Sequence, residues 1–391
     1  MVRRIGDDER RARLVARHHH NRTAGSVEDA SESLVGFHSS DPVSVVLSAW
    51  ARVEGFAVSD LDEALYERRT LLRMLGMRRT LFVQTRRVAA VMDTACTRDL
   101  LPPQRRRLAG MIEDQGLAED GEIWLSAVEE ATMGALVAAG QATAAELRPL
   151  VPELTEKLMF GEGKTWGGEV GVSTRVLFLL ATSGRIVRGR PLGTWRSSQY
   201  RWAPVEVWLG RSLPQIDKES AETELLERWL RSYGPGTITD LRWWTGWTLG
   251  RTREVLARLD VEEVELDDGA GFVLADDLEG ATYAPVVALL PGLDPSVMGW
   301  KDRDWFLGEH GPALFDRNGN AGPTVWVDGR IVGGWAQNRV GRIVTRLLED
   351  VGAETADAVE AEADRLEGWL DGFLFKPRFR GPLEKELAES D

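Results

Sequence analysis

ETELLERWLRSYGPGTITDLRWWTGWTLGRTREVLARLD, residues 222–260, followed by VEEVELDDGAGFVLADD, residues 261–277, decides the fold. Leu225, Leu226, Trp229 and Leu230 recur at helical spacing, and Gly234-Pro235-Gly236 ends that helix. Thr237 is placed to cap a second helix carrying Asp240, Leu241 and Trp244. Gly246 turns the chain, and Thr248 caps a third helix with Val255, Leu256 and Leu259. Two alternating segments around a glycine-containing turn then predict a hairpin. Three helices followed by a hairpin is the winged helix-turn-helix plan. Such units also serve as protein-docking modules. The wing here carries Glu262, Glu263, Glu265, Asp267 and Asp268, which phosphate would repel, so this copy reads as scaffold.

The same plan recurs twice upstream. An N-terminal helix from Arg11, a helix from Pro42 and a helix through LYERRTLLRML (65–75) precede RRTLFVQTRR (78–87), read as a wing strand. EEATMGALVAAGQATAAELRPLVPEL (129–154) supplies helices, and STRVLFLLATSGRIVRGRP (173–191) a third helix and a short wing. After Tyr283 the character changes. YAPVVALLPGLD, GPTVWVDGRIVGGWAQ and GFLFKPRFRG read as strands and turns, VGRIVTRLL as strand or helix, and TADAVEAEADRLEGWL as an acidic helix. The fold expected is α+β and mainly α: three tandem winged-helix units in a C-shape with a C-terminal β-barrel-like module. Its parts are 1–110, a winged helix with an Arg-rich segment; 111–215, a second with connecting helices; 216–283, the third; and 284–391, the β-rich module.

With 391 residues, 43% of them hydrophobic, the chain is globular and long enough for several domains. No apolar run nears the ~20 residues a bilayer span needs, and the N-terminus has no signal-peptide core. Cys96 is the only cysteine, which removes disulfides and cysteine zinc sites and makes a cytoplasmic setting the expectation. His18, His19 and His20, read as helical, would point about 100° apart, so at most one could face the site below and no metal or cofactor is expected. The net charge of −14 is unevenly spread. Tyr66–Gly110 holds eleven arginines against Glu67, Asp93 and Asp99, a net +8, and acid is gathered at 260–279 and 349–371. Segregation of this kind can build a basic face on an acidic protein. Arg69 and Arg73, read as helical neighbours four apart, and Arg78 and Arg79 at a strand start, are the candidate phosphate contacts. The KDRDW stretch, 301–305, reads equally as cleft-facing or internally ion-paired.

LVGFHSSDPVSVVLSAWARV, residues 34–53, is the candidate site. Asp41 before Pro42 is a strong helix start, with Asp as cap and Pro at the first position. His38 and Ser40, two apart in an extended segment, point the same way in front of that helix terminus and could hold a water molecule between them. Asp41 could stabilise a cation, although capping is the simpler account. An ordinary pre-helix segment with a satisfied histidine is the plain alternative.

These stretches, with LLPGLDPSVMGWKDRDWF (289–306) and GPTVWVDGRIVGGW (322–335), resemble the winged-helix DNA glycosylase family typified by AlkZ and YcaQ. The resemblance covers nearly the whole chain and rests on the order of the motifs. It implies a monofunctional, monomeric enzyme acting on double-stranded DNA with N-alkylated purines or interstrand crosslinks. It also implies catalytic roles at the positions of the family's Gln-x-Gln or Gln-x-Asp motif, which fall on His38 and Ser40, just before Asp41. The substituted motif leaves open a non-catalytic DNA binder, and the fold leaves open a protein scaffold.

Overall fold

In the computed structural model, which describes residues 2–161, 163 and 167–390, about 48% of the chain is helical. After helix Asp7–Arg17, helix Val27–Ser33 leads into the two-residue strand β1 (Phe37–His38). Helix Pro42–Trp50 and helix Val58–Asp62, prolonged by a wide turn Glu63–Glu67, precede β2 (Leu71–Leu75) and β3 (Leu81–Thr85). The sequence reading carried the last helix to Leu75. The structure stops it at Glu67, reverses the chain at Arg69 (φ 54°) and makes LLRML a strand buried at every position. A central strand packed on both faces shows no alternation, which is why it passed for helix.

Helix Gly121–Ala139, a bridge from Ala142 to Trp202 and helix Ala144–Leu147 follow. Next come β4 (Lys157–Phe160), β5 (Gly168–Gly171), helix Val172–Thr182, β6 (Ile186–Pro191) and β7 (Tyr200–Pro204). Because β2 also pairs with β6, the hairpins of these two units join in one five-stranded antiparallel sheet, ordered β1-β3-β2-β6-β7.

The stretch that opened the reading folds as its punctuation demands. Helix Lys218–Tyr233 is followed by Gly236 bridging Phe272, then by helices Ile238–Thr245 and Leu249–Leu256, capped by Thr237 and Thr248. The hairpin is β8 (Val261–Leu266) with β9 (Gly269–Leu274). Its acid is partly neutralised from within: the N-terminal segment lies along β8, with the Ile5 N–H donating to the Glu265 carbonyl (2.9 Å) and Arg4 paired to Asp267 (2.8 Å). A Cβ at Gly236 would stand 2.3 Å from the ring of fully buried Trp229. Gly236→Ala is therefore expected to cost about 1–3 kcal/mol, the range for overpacking a core, as a lower urea midpoint at unchanged slope.

The C-terminal part is a four-stranded antiparallel sheet in the order β10 (Val287–Leu290), β11 (Thr324–Val327), β12 (Arg330–Gln337), β13 (Ile343–Leu347), packed against helix Ala353–Leu370. It is open, with β10 and β13 unpaired to each other, and the barrel expected from the sequence is absent among the described residues. Four strands enclose too little space to be filled as a barrel. Trp326 and Trp335 bury against other elements instead. GFLFKPRFRG, read as strand and turn, forms no strand. Pro377 lacks a ladder donor, and the Phe375 and Arg378 N–H groups donate to the side chains of Gln337 (3.0 Å) and Asp41 (2.7 Å). Among the described residues no helix is long and apolar enough to cross a membrane.

A candidate active-site cleft

His38 ends the edge strand β1, opposite Phe82 of β3, and its ring meets that of Phe82 edge-on at 5.7 Å. It borders a cleft of about 380 Å³ that six segments of the chain enclose, the end of helix Lys218–Tyr233 with Tyr233 among them. The turn after β2 brings Arg78, helix Ile238–Thr245 brings Trp243, the 295–303 loop brings Lys301 and Arg303, and the 318–320 turn brings Asn318 and Asn320. A larger depression of about 800 Å³ lies elsewhere, along helix Lys218–Tyr233. Its arginines are paired with its own glutamates, as in Arg228 with Glu224 (2.8 Å), so it offers no unmatched cation.

Local chemistry fixes each wall. Asp240 is fully buried. One carboxylate oxygen accepts from the N–H groups of Lys301 (2.8 Å) and Asp302 (3.1 Å), and the other from Thr237, so a helix cap also anchors the 301–303 loop. Asp316 accepts the N–H groups of Asn318 (2.8 Å) and Asn320 (2.9 Å) and shapes that turn. Arg78 and Arg79 both lie in the left-handed region, at φ 52° and 64°. Such a backbone is unfavourable for residues with a Cβ and tends to be kept where it places a functional side chain.

Burial, and then the Arg78 charge, push the His38 ring down to about 4, so it is neutral at pH 7. Its Nδ1 is buried without a partner among the described residues. The other two sequence candidates stand apart from the cleft. Ser40 is half-buried and outside the lining; its carbonyl receives a long contact from Arg378 Nη1 (3.5 Å). Asp41 is 3% exposed, with one carboxylate oxygen on the Val43 N–H (3.1 Å) and the other on the Arg378 N–H (2.7 Å). Burial raises its pKa against those hydrogen bonds. Its geometry is that of a cap that also ties down the C-terminal segment.

The arginines divide in the same way. Arg78 and Arg79 are exposed, over Trp243 (4.0 Å) and Phe178 (5.0 Å). Arg69 and Arg73 do not share a helix face. Arg69 donates to the Trp208 carbonyl and lies over its indole, and Arg73 is 4% exposed inside β2, over Tyr200. Within KDRDW, Lys301 and Arg303 take the cleft-facing position, with no ion pair among the described residues. Sequence reasoning missed Trp243, Asn318 and Asn320, since only the tertiary fold brings them to His38. His18–His20 form a turn after the helix rather than part of it, with His19 at φ 53°. None of them lines the cleft; His18 Nδ1 and His20 Nε2 instead converge on Ser296 Oγ at 2.9 and 3.0 Å. No group of three or more acidic, His or Cys side chains fit for a metal occurs among the described residues.

The family model described as DNA glycosylase AlkZ-like matches residues 31–369. Among solved structures, Streptomyces sahachiroi DNA glycosylase AlkZ superposes with a TM-score of 0.73 at 20% sequence identity, over 93% of this chain and 97% of that one, a likeness of fold. No curated protein matches.

Proposed function

The chain belongs to the AlkZ-like DNA glycosylase family, and on that premise we propose that it hydrolyses the N-glycosidic bond of cationic N-alkylated purines in double-stranded DNA. Interstrand crosslinks built through such purines are the larger substrates of the same chemistry. The three units 27–85, 121–204 and 218–274 share the order helix, bridging strand, helix, helix, hairpin, with the β4–β5 hairpin inserted between the last two helices of the second. We read them as tandem winged helices curved around the duplex as a C, within divisions at 110, 215 and 283, and acting as a monomer.

The observation that carries the reading is a neutral imidazole on the wall of an aromatic, cationic cleft. An N-alkylated purine is already a good leaving group. As water oxygen bonds to C1′, the C1′–N bond breaks and its electron pair returns to the purine, which departs uncharged. The proton of the water passes to the His38 ring and on to solvent. A neutral ring does this without opposing the sugar cation, as an imidazolium would. Asp41 holds the helix start behind it, and the share of Ser40 is a question for substitution. Release of labelled 7-methylguanine from methylated duplex by the purified protein tests the reading. The replaced Gln-x-Gln motif favours a second one, a lesion binder without chemistry, which duplex binding with no base release would support.

Arg78 and Arg79 are the exposed cations expected to meet phosphate. Arg78→Glu with Arg79→Glu should weaken duplex binding and flatten the log K against log salt plot by about 0.9 per lost contact. A folded double variant with the wild-type slope would remove this turn from the interface.

A further inference from the structure

Most arginines of this acidic chain are matched by carboxylates, including the buried Arg52–Asp294 pair at 2.7 Å. The cleft beside His38 is an exception. Arg78, Lys301 and Arg303 line it together, none has an ion pair among the described residues, and no carboxylate lines it with them. Of the nearest acids, Asp240 is spent on the Lys301 and Asp302 N–H groups and on Thr237, and the exposed Asp302 pairs with none of the three cations among the described residues; both reach Arg303 only through space. Two of the cations crowd one indole, with Arg78 at 4.0 Å and Arg303 at 5.1 Å from the Trp243 ring centre. Cation–π attraction offsets part of their repulsion and leaves the net charge in place. Arg303 Nε is buried without a partner among the described residues, and burial followed by the Arg78 charge pulls that guanidinium down to about 10 against the Asp240 and Asp302 charges. The left-handed turn at Arg78 and the Asp240 anchor under Lys301 hold the arrangement in the free protein.

Three unmatched cations in a cleft are poorly suited to receive a positively charged base and well suited to an anion. We propose that Arg78, Lys301 and Arg303, gathered around Trp243, form an oxyanion seat for one phosphodiester of the strand that presents its nucleotide to His38. The seated phosphate would offset one of the three charges and draw the donors of the other two onto its oxygens, which lowers the repulsion a cationic purine meets beside it, and would set the register of C1′ against the His38 ring. This inference rests on the DNA reading above and adds which backbone group is gripped and by what.

Two arms separate a DNA phosphate from a free one. In the first, the thermal midpoint of the full chain is measured in inorganic phosphate against chloride at matched ionic strength. Wild type should rise by about 2 °C or more beyond the Lys301→Gln, Arg303→Gln double variant, whose own rise measures the general effect of phosphate as an excluded salt, and an equal rise in both overturns the seat. Equal midpoints in wild type do so too. In the second, the protein binds duplexes carrying a tetrahydrofuran abasic site, with the flanking phosphates replaced one at a time by neutral methylphosphonates. One replacement should cost wild type roughly tenfold in affinity, the scale of a charge-assisted hydrogen bond, and cost the double variant nothing further. This arm needs only wild-type protein to show which linkage matters. A phosphate shift with no sensitive linkage overturns the DNA assignment, as does a linkage whose loss costs both proteins equally. A wild type that binds no duplex at all would overturn the DNA reading itself, and the phosphate arm alone would then decide the seat.

Discussion

His38→Ala is expected to slow single-turnover release of 7-methylguanine by about 10²-fold, the low end for a lost acid–base group, while duplex binding stays near wild type. The low end applies because a cationic purine needs little help to leave. His38→Gln should keep part of the rate if orienting water is the task, and lose most of it if proton abstraction is. The pH profile carries an independent sign. With the ring at about 4, activity should be level from near pH 5 upward and fall as pH drops through 4, where the imidazolium opposes the departing cation. Stability moves the same way. A ring held below its unfolded value of about 6.5 contributes stability that is complete above that value and is lost as pH falls toward 4. Folding must therefore be followed at each pH, and in His38→Ala this share of the acid sensitivity should vanish. Wild-type release by a folded His38→Ala, Ser40→Ala double variant would place the chemistry elsewhere in the cleft.

What could be read in advance follows from how local each cause is. The caps at Thr237 and Thr248, the helix start at Asp41-Pro42 and the breaks at Gly234 and Gly246 act within a few residues, and each stands where the letters put it. The strand LLRML does not, because a segment buried on both faces loses the alternation that marks a strand. Asp41 was legible as a cap but not as a double acceptor. Its second partner, the Arg378 N–H, lies 337 residues away, and asparagine, an equal simple cap, has only one oxygen to serve both. The cleft is the least local feature of all. His38 was singled out by its spacing to a helix terminus, whereas Arg303, Trp243 and Asn320 reach it only through the packing of the third helical unit and the C-terminal sheet against the first.

The largest stability effect is expected beneath that cleft. Arg52 and Asp294 are both fully buried and make two hydrogen bonds to each other, at 2.7 and 2.9 Å. Burial alone would raise the Asp294 carboxyl, but the Arg52 charge and hydrogen bonds, the Ser48 hydroxyl and the Ser296 N–H carry it below its ordinary value. Ser296 Oγ extends the network. Ser232 Oγ spends its proton on the Ser33 carbonyl, so it can only accept from His18 Nε2 (3.4 Å), which leaves His18 Nδ1 as an acceptor. Ser296 therefore donates to His18 Nδ1 and accepts from His20 Nε2 and Arg52 Nη2 (2.9 Å), and the unpartnered His20 Nδ1 is the bare nitrogen of a neutral ring. Every proton is placed only while both histidines stay neutral. Burial secures this by holding His20 down to about 3 and His18 well below its usual value. Asp294→Asn would strand the Arg52 cation at 0% exposure and should cost about 3–5 kcal/mol, read as a lower denaturant midpoint at unchanged slope. Arg52→Met with Asp294→Asn removes both charges and should recover much of that loss, the signature of an uncompensated charge rather than of lost packing. Because Pro295 lines the cleft next to this pair, the single variant should also lose base release wherever it remains folded. A midpoint that stays put in Asp294→Asn would mean the pair does not brace the cleft floor.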